Sequence, residues 1–217
     1  MLFLYRILIN LTLLISPLIV IFRLIKKKED PIRFIEKYTI FSKKRISGKL
    51  IWLHGSSVGE LLSIMPLVEK LEKNKNISQI LITSSTLSSS KVFEKFKLKK
   101  TIHQFFPIDS NFLINRFLNY WNPSSVFFVE SEIWPNAIIN IKNRNIKLIL
   151  LNGRITKKTF KRWKKIKNFS ESLFSKFDIT LSQNDETKIF LKKLGAKKIK
   201  KLGNLKFSKS NLIRKDI

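Results

Sequence analysis

From residue 50 onward, short apolar runs alternate with stretches whose apolar residues recur every three or four positions. Leu50–His54, 80–83, 102–106, 125–129, 148–151, 179–181 and 199–202 have the length and composition of strands. Between them, 58–73, 91–97, 112–121, 135–143, 157–174 and 186–194 have helical spacing, with Pro135 suited to a helix start and Gly195 to a helix end. A chain that repeats strand, helix, strand must cross over between parallel strands. The expected fold is therefore α/β, a Rossmann-like parallel sheet with flanking helices. In such sheets the ligand crevice lies beyond the carboxyl ends of the strands, which singles out 54–60, 83–90, 130–134 and 152–156.

Ahead of this pattern, residues 1–25 read as a membrane anchor. The uncharged run from Ile7 to Phe22 is flanked by Arg6 and Arg23 and interrupted by Pro17, which should kink a helix. It reaches the roughly 20 residues of a spanning helix only if both arginines snorkel. No small-residue cleavage site follows, which disfavours a removed signal peptide, and a partly inserted, monotopic anchor is the other alternative to a spanning one. Lys26, Lys27 and Lys28 place the domain on the cytoplasmic side by the positive-inside rule. Residues 26–49 read as a basic connector with a short amphipathic piece over 32–41, and 50–207 as the domain proper.

Composition narrows the chemistry. Without cysteine there is no disulfide framework, thiolate metal site or cysteine nucleophile, and two histidines make a His-based metal cluster improbable. No metal and no cofactor are expected. Neither a G-x-G-x-x-G dinucleotide turn nor a P-loop is present. The net charge of +28 has two readings: drift toward Lys, Ile and Asn, or attraction to a polyanion.

Three readings compete for the turn after the first strand. Ser57-Val58-Gly59-Glu60 has the spacing of a capping box. Gly55-Ser56-Ser57-Val58-Gly59 has the G-x-S-x-G spacing of a serine hydrolase, but only His103 follows it and no acid is suitably placed. Third, Glu60 in the first helical turn could serve as a general base. After the fourth strand, either Glu132 caps the next helix with both acids solvated, or Glu130 and Glu132 form part of a site, and no third acid or histidine nearby suggests a metal. Arg154 suits a phosphate or carboxylate. The basic helix with Phe160 and Trp163 is either a solvated face or a contact for anionic lipid, and no RNA-binding motif supports nucleic acid as a partner.

Trp52-Leu53-His54-Gly55-Ser56-Ser57-Val58-Gly59-Glu60 resembles the W-x-H-x-x-S-V-G-E block of the 3-deoxy-D-manno-octulosonic acid (Kdo) transferases. The resemblance continues through Glu130-Ser131-Glu132-Ile133-Trp134-Pro135-Asn136, Leu151-Asn152-Gly153-Arg154, Ser182-Gln183, Leu194-Gly195-Ala196 and Gly203-Asn204-Leu205-Lys206-Phe207. It implies the amino-terminal, acceptor-binding half of a GT-B glycosyltransferase. Such an enzyme moves Kdo from CMP-Kdo to a lipid A precursor, with inversion, at the cytoplasmic face of the inner membrane. Glu60 matches the catalytic base. Ser57, Glu130, Glu132, Arg154 and Lys206 match positions near the acceptor. Family members run to about twice this length, so 208–217 reads as the start of a linker to a missing CMP-Kdo-binding domain. The chain alone is expected to transfer nothing. The other expectation, independent of catalysis, is a membrane-tethered module that holds anionic lipid.

Overall fold

The computed structural model describes residues 1–203. Helix α1 (Leu2–Ile25) and a 3-10 turn (Arg33–Tyr38) precede seven strands: β1 (Leu50–His54), β2 (Gln79–Ser84), β3 (Thr101–Phe105), β4 (Ser125–Val129), β5 (Lys147–Gly153), β6 (Ile179–Ser182) and β7 (Ile199–Lys201). Between them lie α2 (Val58–Glu72), α3 (Leu87–Glu94), α4 (Asn111–Trp121), α5 (Pro135–Asn143), α6 (Lys157–Lys164), α7 (Lys167–Phe174) and α8 (Asp185–Lys193). All seven strands are parallel, in the order β3-β2-β1-β4-β5-β6-β7. The chain winds outward one way from β1 and then the other way from β4. That makes the β1/β4 boundary the topological switch point, where ligands bind in such sheets.

The strands read as continuous apolar runs because both faces are covered. Within β1, Leu50 and Trp52 join one core with Phe117, Phe128 and Ile138, while Ile51 and Leu53 join the other with Leu61, Ile64 and Val68. Helix starts follow local chemistry. Ser57, Thr86, Ser110, Thr156 and Asn184 each accept a hydrogen bond from a backbone N–H three residues on.

Two helices differ from expectation. The third starts at Leu87 rather than Lys91, because Thr86 caps it and its serines, weak in helical pattern, lie buried at Ser89 and Ser90. The long basic helix breaks at Ile166, whose φ of −120° and ψ of 50° are not helical. Phe160, Trp163, Ile166 and Phe169 recur every three residues, and a straight helix would rotate each by about 60° from the last. The break lets Phe160 stack on Phe190 while Trp163 meets Phe174 edge-on.

The stretch between α1 and β1 is closely packed. Glu36 is fully buried, accepting from Arg33 Nε at 2.9 Å, from the Phe105 N–H at 2.7 Å and from the Ser42 hydroxyl. It thereby covers the exposed edge of β3. In α1 the helix runs on through Pro17. Pro17 has no N–H for the Leu13 carbonyl, and the Ser16 hydroxyl donates to that carbonyl instead, at 2.7 Å.

Candidate active site

The switch point holds a cluster of polar side chains built from three turns. His54 is the last residue of β1 and is fully buried, stacked on Phe106 at 3.9 Å between ring centroids. Its Nδ1 lies 3.0 Å from the Thr83 hydroxyl, which itself accepts from Trp52 Nε1 at 2.9 Å. Nδ1 also lies 3.2 Å from the Thr83 carbonyl, and Nε2 lies 3.1 Å from both Glu132 Oε2 and Trp134 Nε1. The same Glu132 oxygen accepts from the Ser56 hydroxyl at 2.7 Å and from Trp134 Nε1 at 2.6 Å. Burial pushes the Glu132 carboxyl up, but these donors and the His54 charge outweigh it and hold the group below the usual carboxylate range.

Ser56 joins this carboxylate to a second one. Its backbone N–H donates to Glu60 Oε2 at 2.6 Å, and the Ser57 N–H does so at 3.4 Å. The capping box is therefore real, with the Ser57 hydroxyl accepting from the Glu60 N–H at 3.3 Å. Glu60 is nonetheless shifted the other way from Glu132. Burial raises its pKa first and the Glu132 charge second, with the Glu130 charge adding a little against the two backbone donors. Glu60 Oε1 accepts no hydrogen bond among the described residues. A capping carboxylate with one free oxygen and a raised pKa can both hold the turn and exchange a proton at the crevice.

Glu130 follows β4 and Asn152 lies near the end of the neighbouring β5, with φ of +56° and +55°. Left-handed backbone costs a non-glycine residue on the order of 1 kcal/mol. Both side chains are buried, and Asn152 Nδ2 lies 3.5 Å from Glu130 Oε1. Arg154 is exposed at the next edge, where a cavity of about 480 Å³ is also lined by Lys157, Lys158 and Asn184. The structure thus brings Glu60, Glu132 and Glu130 together, sets Ser57 at the rim and places Arg154 at a neighbouring cavity. Lys206 lies outside the described residues.

The serine-hydrolase reading fails here. Ser57 is an exposed helix cap, His54 is engaged with Thr83 and Glu132, and His103 Nε2 is bonded to Ser84. No base stands beside the hydroxyl.

Residues 32–209 match the family model of the 3-deoxy-D-manno-octulosonic-acid transferase (kdotransferase). The chain belongs to this family. It is 35% identical over 209 residues to the 3-deoxy-D-manno-octulosonic acid transferase of Rickettsia bellii, covering 96% of this chain and 50% of that protein. Against the Haemophilus influenzae transferase the identity is 27% over 215 residues, covering 95% and 50%. The chain therefore spans half the length of these relatives. Among solved structures, the UDP-N-acetylglucosamine 2-epimerase of Rickettsia bellii superposes with a TM-score of 0.51 at 14% identity, over 74% of this chain and 46% of that one. That likeness concerns the fold alone.

In this member of the family, the residues the sequence left unassigned are as instructive as those it flagged. His54, Ser56 and Trp134 sit inside the quoted motifs but carried no role of their own. Their positions at strand ends were the available signal. Asp109 had none. Its carboxylate accepts from the Asn136 and Ala137 N–H groups at 3.0 and 2.8 Å, capping α5 from 27 residues away. The local N-cap residue is Trp134, whose indole is directed to Glu132 and which has no side-chain oxygen to offer.

Proposed function

We propose that this chain is the acceptor-binding half of an inverting Kdo transferase. It works with a carboxyl-terminal half that carries CMP-Kdo, on a lipid A precursor at the cytoplasmic face of the inner membrane. Glu60 takes the proton from the acceptor's primary hydroxyl. That oxygen attacks the anomeric carbon of Kdo as the bond to CMP breaks, and CMP leaves with the bonding pair on the face opposite the attack. Glu132 stays ionised beside Glu60 and keeps its affinity for the proton high. His54, Ser56 and Trp134 position Glu132. Glu130, Ser57 and Arg154 contact the acceptor, as does Lys206 by family resemblance.

The observation that supports this reading most is the pair of carboxylates held by Ser56 at the switch point, where no Lys or Arg pairs with Glu60 or Glu132 among the described residues. A cation would lower the proton affinity a base needs.

The test is Kdo transfer from CMP-Kdo with a carboxyl-terminal half supplied. Glu60→Gln should lower kcat by about 10²–10⁴-fold with the fold intact. Rates within a few fold of wild type would remove Glu60 from the base role. If no carboxyl-terminal half restores transfer, yet anionic vesicles still bind Glu60→Gln, the chain is a lipid-holding module. The basic face of α6, which has no buried residue, favours that second reading.

A further inference from the structure

The N-terminal helix has the composition of a membrane span, but its contacts do not suit one. Tyr5 Oη donates to Asp109 Oδ2 at 2.6 Å, and Arg6 reaches Asn136 Oδ1 at 3.0 Å and Asn111 Oδ1 at 3.1 Å. Midway, the Ser16 hydroxyl lies 2.9 Å from Tyr38 Oη. Near the other end, Arg23 Nε lies 2.9 Å from Glu29, whose carboxylate also accepts from Lys37 Nζ at 2.7 Å. Tyr5 and Arg23 stand about 27 Å apart along the helix axis. Asp109 is buried in the domain, and Glu29 is buried in the connector, which itself packs on β3 through Glu36 and Arg33. A helix crossing a hydrocarbon core about 30 Å thick could not keep contacts at both ends and in the middle with one water-soluble domain.

The side chains divide accordingly. Tyr5, Ile9, Leu13, Ser16 and Val20 recur at three- or four-residue spacing and are sheltered by the domain. Leu4, Leu8, Leu11, Leu14 and Leu18 are half or more exposed. This is a wide apolar face about 36 Å long with nothing on it among the described residues. Beside its first turns, Leu4 and Leu8 share an apolar groove of about 460 Å³ with Trp134, Trp163 and Phe169. The groove sets the basic helix α6 next to this face, and exposed Lys26, Lys27 and Lys28 follow its other end. An apolar stripe bordered by lysines at both ends matches an anionic lipid surface.

We propose that α1 is an in-plane anchor, strapped to the domain along its length, with its outer face lying in the headgroup boundary of an anionic bilayer. The Trp134 groove then opens onto lipid at the edge of the candidate site. The anchoring geometry stands whether or not the transferase reading does.

Because the chain has no cysteine, single labels can be placed cleanly. Leu4→Cys, Leu11→Cys and Leu18→Cys lie on one helical face and are exposed, so none should disturb folding. Each would carry an environment-sensitive fluorophore, and the full chain would be bound to mixed phosphatidylethanolamine and phosphatidylglycerol vesicles. Depth would be read with lipids bearing quenchers at different positions. The expected result is equal quenching at all three sites, at a shallow depth of about 5–10 Å. Quenching that peaks at Leu11 near the bilayer centre, with Leu4 shielded from the side bearing the domain, would overturn the proposal. So would three labels that remain in water.

Discussion

The protein holds two clusters of buried or half-buried acids that differ in what surrounds them. Glu36 and Glu29, between α1 and β1, are each met by cations: Arg33 on Glu36, and Arg23 and Lys37 on Glu29. Arg33 also donates to the Ser90 hydroxyl and the His103 carbonyl, and Glu36 is completed by the Phe105 N–H. At the switch point, Glu132 is held by three donors without Lys or Arg, and Glu60 only by backbone N–H groups. A carboxylate ringed by guanidinium and ammonium groups fixes a connection. One kept from them in an electropositive protein retains a proton affinity that chemistry can use. Burial alone does not separate the two clusters; the sign of the neighbouring charge does.

The contrast can be broken from either side. Beyond the loss of transfer expected for Glu60→Gln, the largest effect belongs to Glu36→Gln. It leaves the largely buried Arg33 with only the exposed Glu94 carboxylate, 3.7 Å away, as a counter-charge and should cost about 3 kcal/mol in urea unfolding. Transfer per folded molecule should hardly change. A stable but inactive Glu36→Gln would mean the two clusters are not separable.

A smaller effect concerns Asp109, which caps α5 and anchors Tyr5. Burial lifts its carboxyl to about 7, against the Tyr5 hydroxyl and the Asn136 and Ala137 N–H groups. The native protein therefore keeps a proton that the unfolded chain releases above pH 4 or so. Stability from this group is full below that value and is lost as pH rises through about 7. His103 has the opposite sign. Burial, then Arg33 and Lys43, hold it down to about 3, so its contribution is present above about pH 6.5 and lost as pH falls toward 3. Asp109→Asn should remove only the first slope. Thermal melts between pH 4 and 8 that run parallel for the variant and wild type would contradict the assignment.

The subtlest effect is on the pH–rate profile. Glu132 raises Glu60 through its charge, so Glu132→Gln should move the acid limb of kcat/KM to lower pH. An unmoved limb would show that the two carboxylates do not sense each other.

Much of the fold was legible because its signals are local. β1, β4 and α5 begin and end where apolar runs, Pro123 and Pro135 place them. The acids Glu60, Glu130 and Glu132 were legible because strand ends in a parallel sheet converge on one edge. What stayed hidden depends on contacts between distant segments. Asp109 caps a helix that starts 26 residues later, and Glu36 satisfies an N–H on β3. The bridging role of Ser56 arises from one residue serving two carboxylates, one through its backbone and one through its side chain, and no spacing rule encodes that. The break at Ile166 was foreshadowed by the three-residue recurrence of Phe160, Trp163 and Phe169, which a helical reading of the run overlooks.

The most direct test needs only the 217-residue chain. Carbon-13 NMR of selectively labelled glutamate carboxyls, assigned with Glu60→Gln and Glu132→Gln, reads both titrations in one sample. Glu60 should titrate above the ordinary glutamate value of about 4.5 and Glu132 below it. Glu60 should fall when Glu132 is replaced. A Glu60 that titrates at or below 4.5 would contradict the claim that this site is organised around a cation-free base.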